Sequence, residues 1–140
     1  MQRVVLDTNV IVSGTLTSGG PPAIILDAWR TGRFLLIISE AIIEEVKDVL
    51  SDPELRAAYP HLKKSHVGNL VNLLRNQGHI VAGTLAIAVI EKDEDDDKFV
   101  IAAVEGEAQY IVSGDSHLAQ LKKYKGIRVI SPSAFARRFR

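Results

Sequence analysis

Short apolar runs with little polar alternation punctuate the chain at residues 4–6, 34–38, 85–90, 110–112 and 127–130. They are rich in β-branched residues and show no period of two, as expected of strands covered on both faces, which favours a parallel sheet. The stretches between them change period. Pro21 and Pro22 open, and Gly32 closes, a segment with Ile25, Ala28 and Trp29 at helical spacing, the proline-first, glycine-last order of helices. Ser39 predicts the N-cap of a second helix, with Ile42, Ile43, Val46, Val49 and Leu50 on one face. A third is predicted over 63–77, with Val67, Leu70, Val71 and Leu74 inward and Gly78 as its stop. Residues 51–61, with turn formers around Pro53 and Pro60, read as a short connection. Phe99, Ala102 and Ala103 mark a helix ahead of Gly106, and Pro132 opens a terminal one that runs toward Arg140. Strand and helix in alternation predict an α/β fold with a mainly parallel sheet.

The length of 140 residues, 46% hydrophobic, predicts one domain over 1–140 with a sizeable core. No apolar run reaches the ~18 residues of a membrane span, and the amino terminus leads into a strand, not a basic-then-apolar signal. A soluble, cytoplasmic protein without membrane association is expected. Without cysteine there is neither a disulfide framework nor a thiolate metal site, so a bound metal must take oxygen or histidine ligands. Seventeen acidic and 17 basic residues balance to zero net charge, so a strong nucleic-acid field cannot be read from the total. Lys122, Lys123, Lys125, Arg128, Arg137, Arg138 and Arg140 nevertheless cluster late in the chain. Such a group either holds a phosphate backbone or forms a solvated basic surface.

In open α/β sheets, ligands bind beyond the carboxyl ends of the strands, where loops and helix amino termini gather. Asp7 ends the first run. Asp115 follows the 110–112 run by one short turn, through Ser113 and Gly114. The acidic cluster of Asp93, Asp95, Asp96 and Asp97 lies between the 85–90 run and the helix holding Phe99. Glu45 stands about two turns into the Ser39 helix. At ~100° per residue, Glu44 points about 160° from the apolar face of that helix and Glu45 about 100°. Glu44 therefore faces water, and Glu45 borders the buried stripe within reach of the strand edge.

Each acid has a plainer use: Asp7, with Thr8 and Asn9, as a loop former, the cluster as helix caps, and Glu45 as a surface residue. Their coincidence on one edge is the informative observation. Several carboxylates within a few ångströms repel one another and take up protons unless a cation offsets them. Hard oxygen ligands without cysteine select Mg²⁺ or Mn²⁺ over zinc, one ion or two. The expected chemistry is phosphodiester cleavage. Among the histidines only His117 is close in sequence to one of these acids.

The motifs resemble the PIN domain, the nuclease fold of many prokaryotic toxin-type ribonucleases. Val5-Leu6-Asp7-Thr8-Asn9-Val10 is similar to its first motif, and Ser39 with Glu45 and Val49-Leu50 to its second. Asp93-Glu94-Asp95-Asp96-Asp97-Lys98-Phe99 is similar to the third and Ser113-Gly114-Asp115-Ser116-His117-Leu118 to the fourth. All four occur in order. The resemblance implies a three-layer α/β/α fold and carries over Asp7, Glu45, Asp96 and Asp115 as catalytic and metal-binding residues, Glu45 directly or through water. It adds Asn9 and Ser113 as groups that hold those carboxylates. Glu94 replaces a proline common in that motif, and the crowding of acids there leaves Asp93 and Asp97 open as alternatives to Asp96.

The same resemblance implies single-stranded RNA as substrate, cut by metal-activated water, a homodimer, and in many relatives a small antitoxin that fills the cleft. A catalytically silent PIN-type module that binds RNA or protein is the alternative. An aspartyl-phosphate phosphatase would want Asp-x-Asp after the first strand, where Asn9 stands. A response-regulator receiver would want adjacent acids there and a lysine after the last strand, and neither is present.

Overall fold

The computed structural model describes residues 1–85, 97–115, 118–119 and 123–140. Along the chain run β1 (Arg3–Leu6), α1 (Thr8–Leu16), α2 (Pro21–Arg30), β2 (Leu35–Ser39), α3 (Glu40–Leu50), α4 (Pro53–Ala58), α5 (Lys64–Gln77) and β3 (His79–Val81). After them come α6 (Asp97–Glu105), β4 (Tyr110–Val112), β5 (Lys123–Tyr124), β6 (Ile127–Ile130), α7 (Pro132–Ala136) and a 3₁₀ turn, Arg137–Phe139. Strand order is β3-β2-β1-β4-β6-β5. The first five of these pair in parallel, and only the two-residue β5 is antiparallel, against β6. Val4, Val5, Leu36, Ile37, Ile38, Ile111 and Val112 are sealed from solvent on both faces, which is why these strands read as unbroken apolar runs.

Neighbouring strand residues point to opposite faces, and β2 shows what covers each. A Cβ placed on Gly78, at the end of α5, would lie 2.9 Å from the Ile38 side chain. One placed on Gly106, just past α6, would lie 2.3 Å from the Ile37 side chain. Helices α5 and α6 therefore cover opposite faces, giving an α/β/α arrangement. The chain runs β1 to β2 to β3 in one direction and then returns to β4 and β6 on the far side of β1. The reversal makes the β1–β4 junction the switch point where α/β sheets open a crevice at their carboxyl edge.

Several elements differ from the sequence expectation. Thr8 and Asn9 open α1 instead of a loop, with Asp7 as its N-cap, accepting from the Val10 N–H at 2.9 Å. The expected connection over 51–61 contains α4, capped by Asp52, which accepts from the Leu55 N–H at 3.1 Å. Strand β3 had no counterpart in the sequence reading. The expected strand over 85–90 falls, apart from Leu85, outside the described residues, and Leu85 itself is in no strand.

The close approach at Gly106 yields a first prediction. Ile37 is fully buried and β-branched, so its methyl group cannot swing away from an added Cβ. Gly106→Ala should cost about 1–3 kcal/mol of overpacking, seen as a lower urea midpoint with unchanged slope. An unchanged midpoint would mean that α6 lifts freely from β2.

Candidate metal centre

Two adjacent strand ends build the crevice. Register pairs Leu6 with Val112, and the Asp7 N–H continues the ladder to the Val112 carbonyl at 3.1 Å. The next residue on each strand is therefore Asp7 beside Ser113. Asp7 is only 3% exposed. Its Oδ1 takes the Val10 N–H, and its Oδ2 accepts from the Ser113 hydroxyl. Ser113 Oγ in turn accepts the Asp115 N–H at 2.9 Å, so one buried hydroxyl ties both acidic loops together. Asp115 Oδ1 takes the Leu118 N–H at 3.3 Å, closing its own turn.

Glu45 arrives from α3 on the neighbouring strand connection. Its Oε1 accepts from the Thr8 hydroxyl, and its Oε2 pairs with Lys98 Nζ at 2.6 Å. Glu44, one residue earlier, faces solvent and pairs with Arg75 at 3.2 Å. Asp7, Thr8, Asn9, Glu45, Phe99 and Asp115 line a small open cleft of about 50 Å³. Burial, above all, pushes the Asp7 carboxyl above its ordinary value. The charges of Asp115 and Glu45 push the same way, against the hydrogen bonds from Ser113 and Val10. A buried carboxylate facing the charges of two others across a small cleft is an arrangement that a hard divalent cation relieves.

The structure thus brings Asp7, Glu45 and Asp115 to one cleft, with Asn9 exposed at its rim and Ser113 beneath. Asp97 is buried at the start of α6, outside the residues that line the cleft. Asp93, Asp96 and His117 lie outside the described residues. Among the described residues no three acidic or histidine side chains are already gathered tightly enough to hold an ion together. Glu105 anchors the chain leading toward the acidic cluster, its carboxylate accepting the N–H groups of Gly83, Thr84 and Leu85 at 2.6, 3.0 and 3.0 Å.

Two residues that hold Glu45, Thr8 and Lys98, have no role in the sequence expectation, where Thr8 enters only beside Asp7 and Lys98 only within its motif. Their contacts join separate helices, which no local spacing signals.

Two members of the late basic group lie away from this edge. Arg138 donates to the Gln2 side chain at 3.0 Å and to the Tyr110 hydroxyl at 2.7 Å. Gln2 precedes β1 and Tyr110 begins β4, so Arg138 sits at the amino ends of the strands. Lys125 is in the turn just before β6, at that same end. For these two the solvated basic surface is the reading that fits, and neither is placed to hold a phosphate at the acidic cleft.

A PIN-domain family model matches residues 3–117, which span every acidic position named above. The chain belongs to the PIN-domain family. PIN domains are generally nucleases, and such nucleases generally use divalent metals. An uncharacterised protein of Methanocaldococcus jannaschii is 29% identical to this PIN domain over 154 aligned positions, covering 98% of this chain and 91% of the relative. The crystal structure of VapBC2 from Rickettsia felis bound to a DNA fragment from their promoter contains a chain of similar fold. It matches with TM-score 0.57 at 14% identity, over 93% of this PIN domain and 98% of that chain. No described helix is long and apolar enough to cross a membrane.

Proposed function

We propose that this PIN domain is a Mg²⁺- or Mn²⁺-dependent endoribonuclease that cuts single-stranded RNA. The observation that carries the reading is the convergence of Asp7, Glu45 and Asp115, from three separated stretches of chain, on one cleft at the sheet's switch point. Asp7 and Asp115 would hold the ion, with Asp96, or Asp93 or Asp97 in its place, as the third acid and Glu45 directly or through water. A bound divalent ion supplies an acidified water and offsets the charge that builds on the phosphorus oxygens.

The remaining work falls to the chain itself. Val10 and Ser113 fix both oxygens of Asp7, so its lone pairs are aimed before any ion arrives. Ser113 also fixes the Asp115 turn, and a substitution there disturbs two acids at once. Asn9 at the rim offers an amide to a phosphate or base. The cleft is small and open, which suits an extended backbone rather than an enclosed small molecule.

The same reading makes the protein the toxin of a toxin–antitoxin pair, working as a homodimer with a small inhibitory partner at the cleft. Its support is the family's motif order, together with a fold shared with a chain of the Rickettsia VapBC2 complex.

The test is cleavage of an end-labelled single-stranded RNA by the purified chain in Mn²⁺. We expect internal cuts, a loss of roughly a hundredfold or more on chelation, and recovery on adding Mn²⁺ or Mg²⁺. Retained RNA binding without cleavage in either metal would leave the silent binding module as the function.

A further inference from the structure

Glu45 enters the cleft with both carboxylate oxygens engaged, one by the Thr8 hydroxyl and one by Lys98 Nζ at 2.6 Å. This is no loose surface pair: the Lys98 side chain is 19% exposed and that of Glu45 36%. Lys98 is the second residue of α6, where the helix's positive end disfavours a cation. Glu45 sets a carboxylate against it from α3. The ammonium also lies 5.1 Å from the centre of the Phe99 ring, and Phe99 lines the cleft beside Asp7 and Asp115. A monovalent cation is therefore held directly behind two residues that line the candidate metal site, Glu45 and Phe99.

We infer that Lys98 is a positioning residue that clamps Glu45 away from direct ligation, so that Glu45 meets the ion through water and contributes little to its affinity. The inference rests on the metal-dependent reading proposed above and narrows it. A divalent ion drawn to Asp7 and Asp115 meets Glu45 as one half of a neutral pair, not as a free charge. The Thr8 hydroxyl holds the other oxygen, so turning Glu45 inward would break two contacts together.

The test is a double-mutant cycle on Mn²⁺ affinity, measured by calorimetry on the full chain without RNA. Glu45→Gln alone should weaken Mn²⁺ about tenfold at most, through the Lys98 charge it leaves unpaired several ångströms from the ion and not through a lost ligand. Lys98→Met should tighten Mn²⁺ roughly tenfold, the scale of removing one unit charge several ångströms from a divalent ion in a partly screened site. The double variant should return close to the parent, and Lys98→Arg should stay there. A purely structural lysine would give additive losses instead of this compensating pattern. Unchanged or weaker binding in Lys98→Met overturns the inference. So does a loss in Glu45→Gln as large as that in Asp7→Asn, which decides the matter even if Lys98→Met does not fold. Parent-like Mn²⁺ binding in Asp7→Asn would instead remove the metal-site reading itself, and the inference with it.

Discussion

Asp7→Asn should lower Mn²⁺-dependent RNA cleavage at least about a thousandfold, or about 4 kcal/mol of transition-state stabilisation at 1.36 kcal/mol per decade. It should also make the metal-free protein more stable. The loss follows from position. Asp7 is the most enclosed of the cleft carboxylates; an asparagine oxygen can still accept the Val10 N–H, while its NH2 would donate to Ser113 Oγ where the carboxylate accepted from it. The amide preserves the shape and the N-cap while removing the charge that attracts the ion. Retained shape with lost activity separates a ligand from a turn former, which would tolerate the change.

The stability gain follows from the sign of the Asp7 shift. Burial, with Asp115 and Glu45 behind it, raises the folded-state value above the ordinary 3.8. A carboxyl shifted upward contributes its full stability below the unfolded value and loses it as pH climbs through the folded one. At neutral pH without metal, Asp7 therefore opposes folding. Asparagine removes that opposition and should add about 0.5–2 kcal/mol, as when a strained functional site is relaxed. Thermal melts in chelator should show the variant above the parent at neutral pH, with the gap closing as pH falls toward 3.8. Saturating Mn²⁺ should reverse the order, since only the parent gains from the ion. A variant that cleaves RNA like the parent, or that melts lower at neutral pH in chelator, would refute this account of Asp7.

What could be read in the sequence was whatever packing wrote into periodicity. The central strands were legible because both their faces are buried, and α3 and α5 because each has one apolar stripe and a recognisable end at Ser39 or Gly78. Helix α1 was not, for a physical reason. Thr8, Val10, Ile11, Val12 and Gly14 are all buried, so the helix is enclosed nearly all round and shows no polar face. Its Val-Ile-Val core also has weak helix propensity. Helix α4 failed in the opposite way, with no buried residue and hence no stripe. Strand β3 is three residues at an exposed edge. At the site, the strand ends of Asp7 and Asp115 were visible as edges of apolar runs, and Glu45 from a helical wheel. Lys98 and Thr8 were not, because their role is a contact between α1, α3 and α6 that no local pattern records.

Phe135→Ala should be the most damaging core substitution at the carboxyl terminus, costing about 3–5 kcal/mol of a total that for such domains is about 5–15 kcal/mol. Phe135 is fully buried, its ring 5.3 Å from that of Phe34, 5.2 Å from that of Phe139 and 6.1 Å from that of Tyr110. It joins α7 to the start of β2 and β4, and Arg138 closes the cluster from outside, 4.4 Å above the Tyr110 ring. The hydrogen bond from Arg138, with the charges of Arg138 and Arg128, holds the Tyr110 hydroxyl below its ordinary pKa. Arg138→Ala removes an exposed cation–π contact, worth about 0.5–1 kcal/mol, together with exposed hydrogen bonds to Gln2 and Tyr110, and should leave RNA cleavage unchanged because it lies at the edge away from the cleft. Urea unfolding of both variants, beside their cleavage rates, separates two uses of the same basic tail. A large midpoint drop for Phe135→Ala with a small one for Arg138→Ala, at equal activity in Arg138→Ala, identifies the tail as a clasp on the fold. A cleavage rate that falls with Arg138 would return it to the substrate.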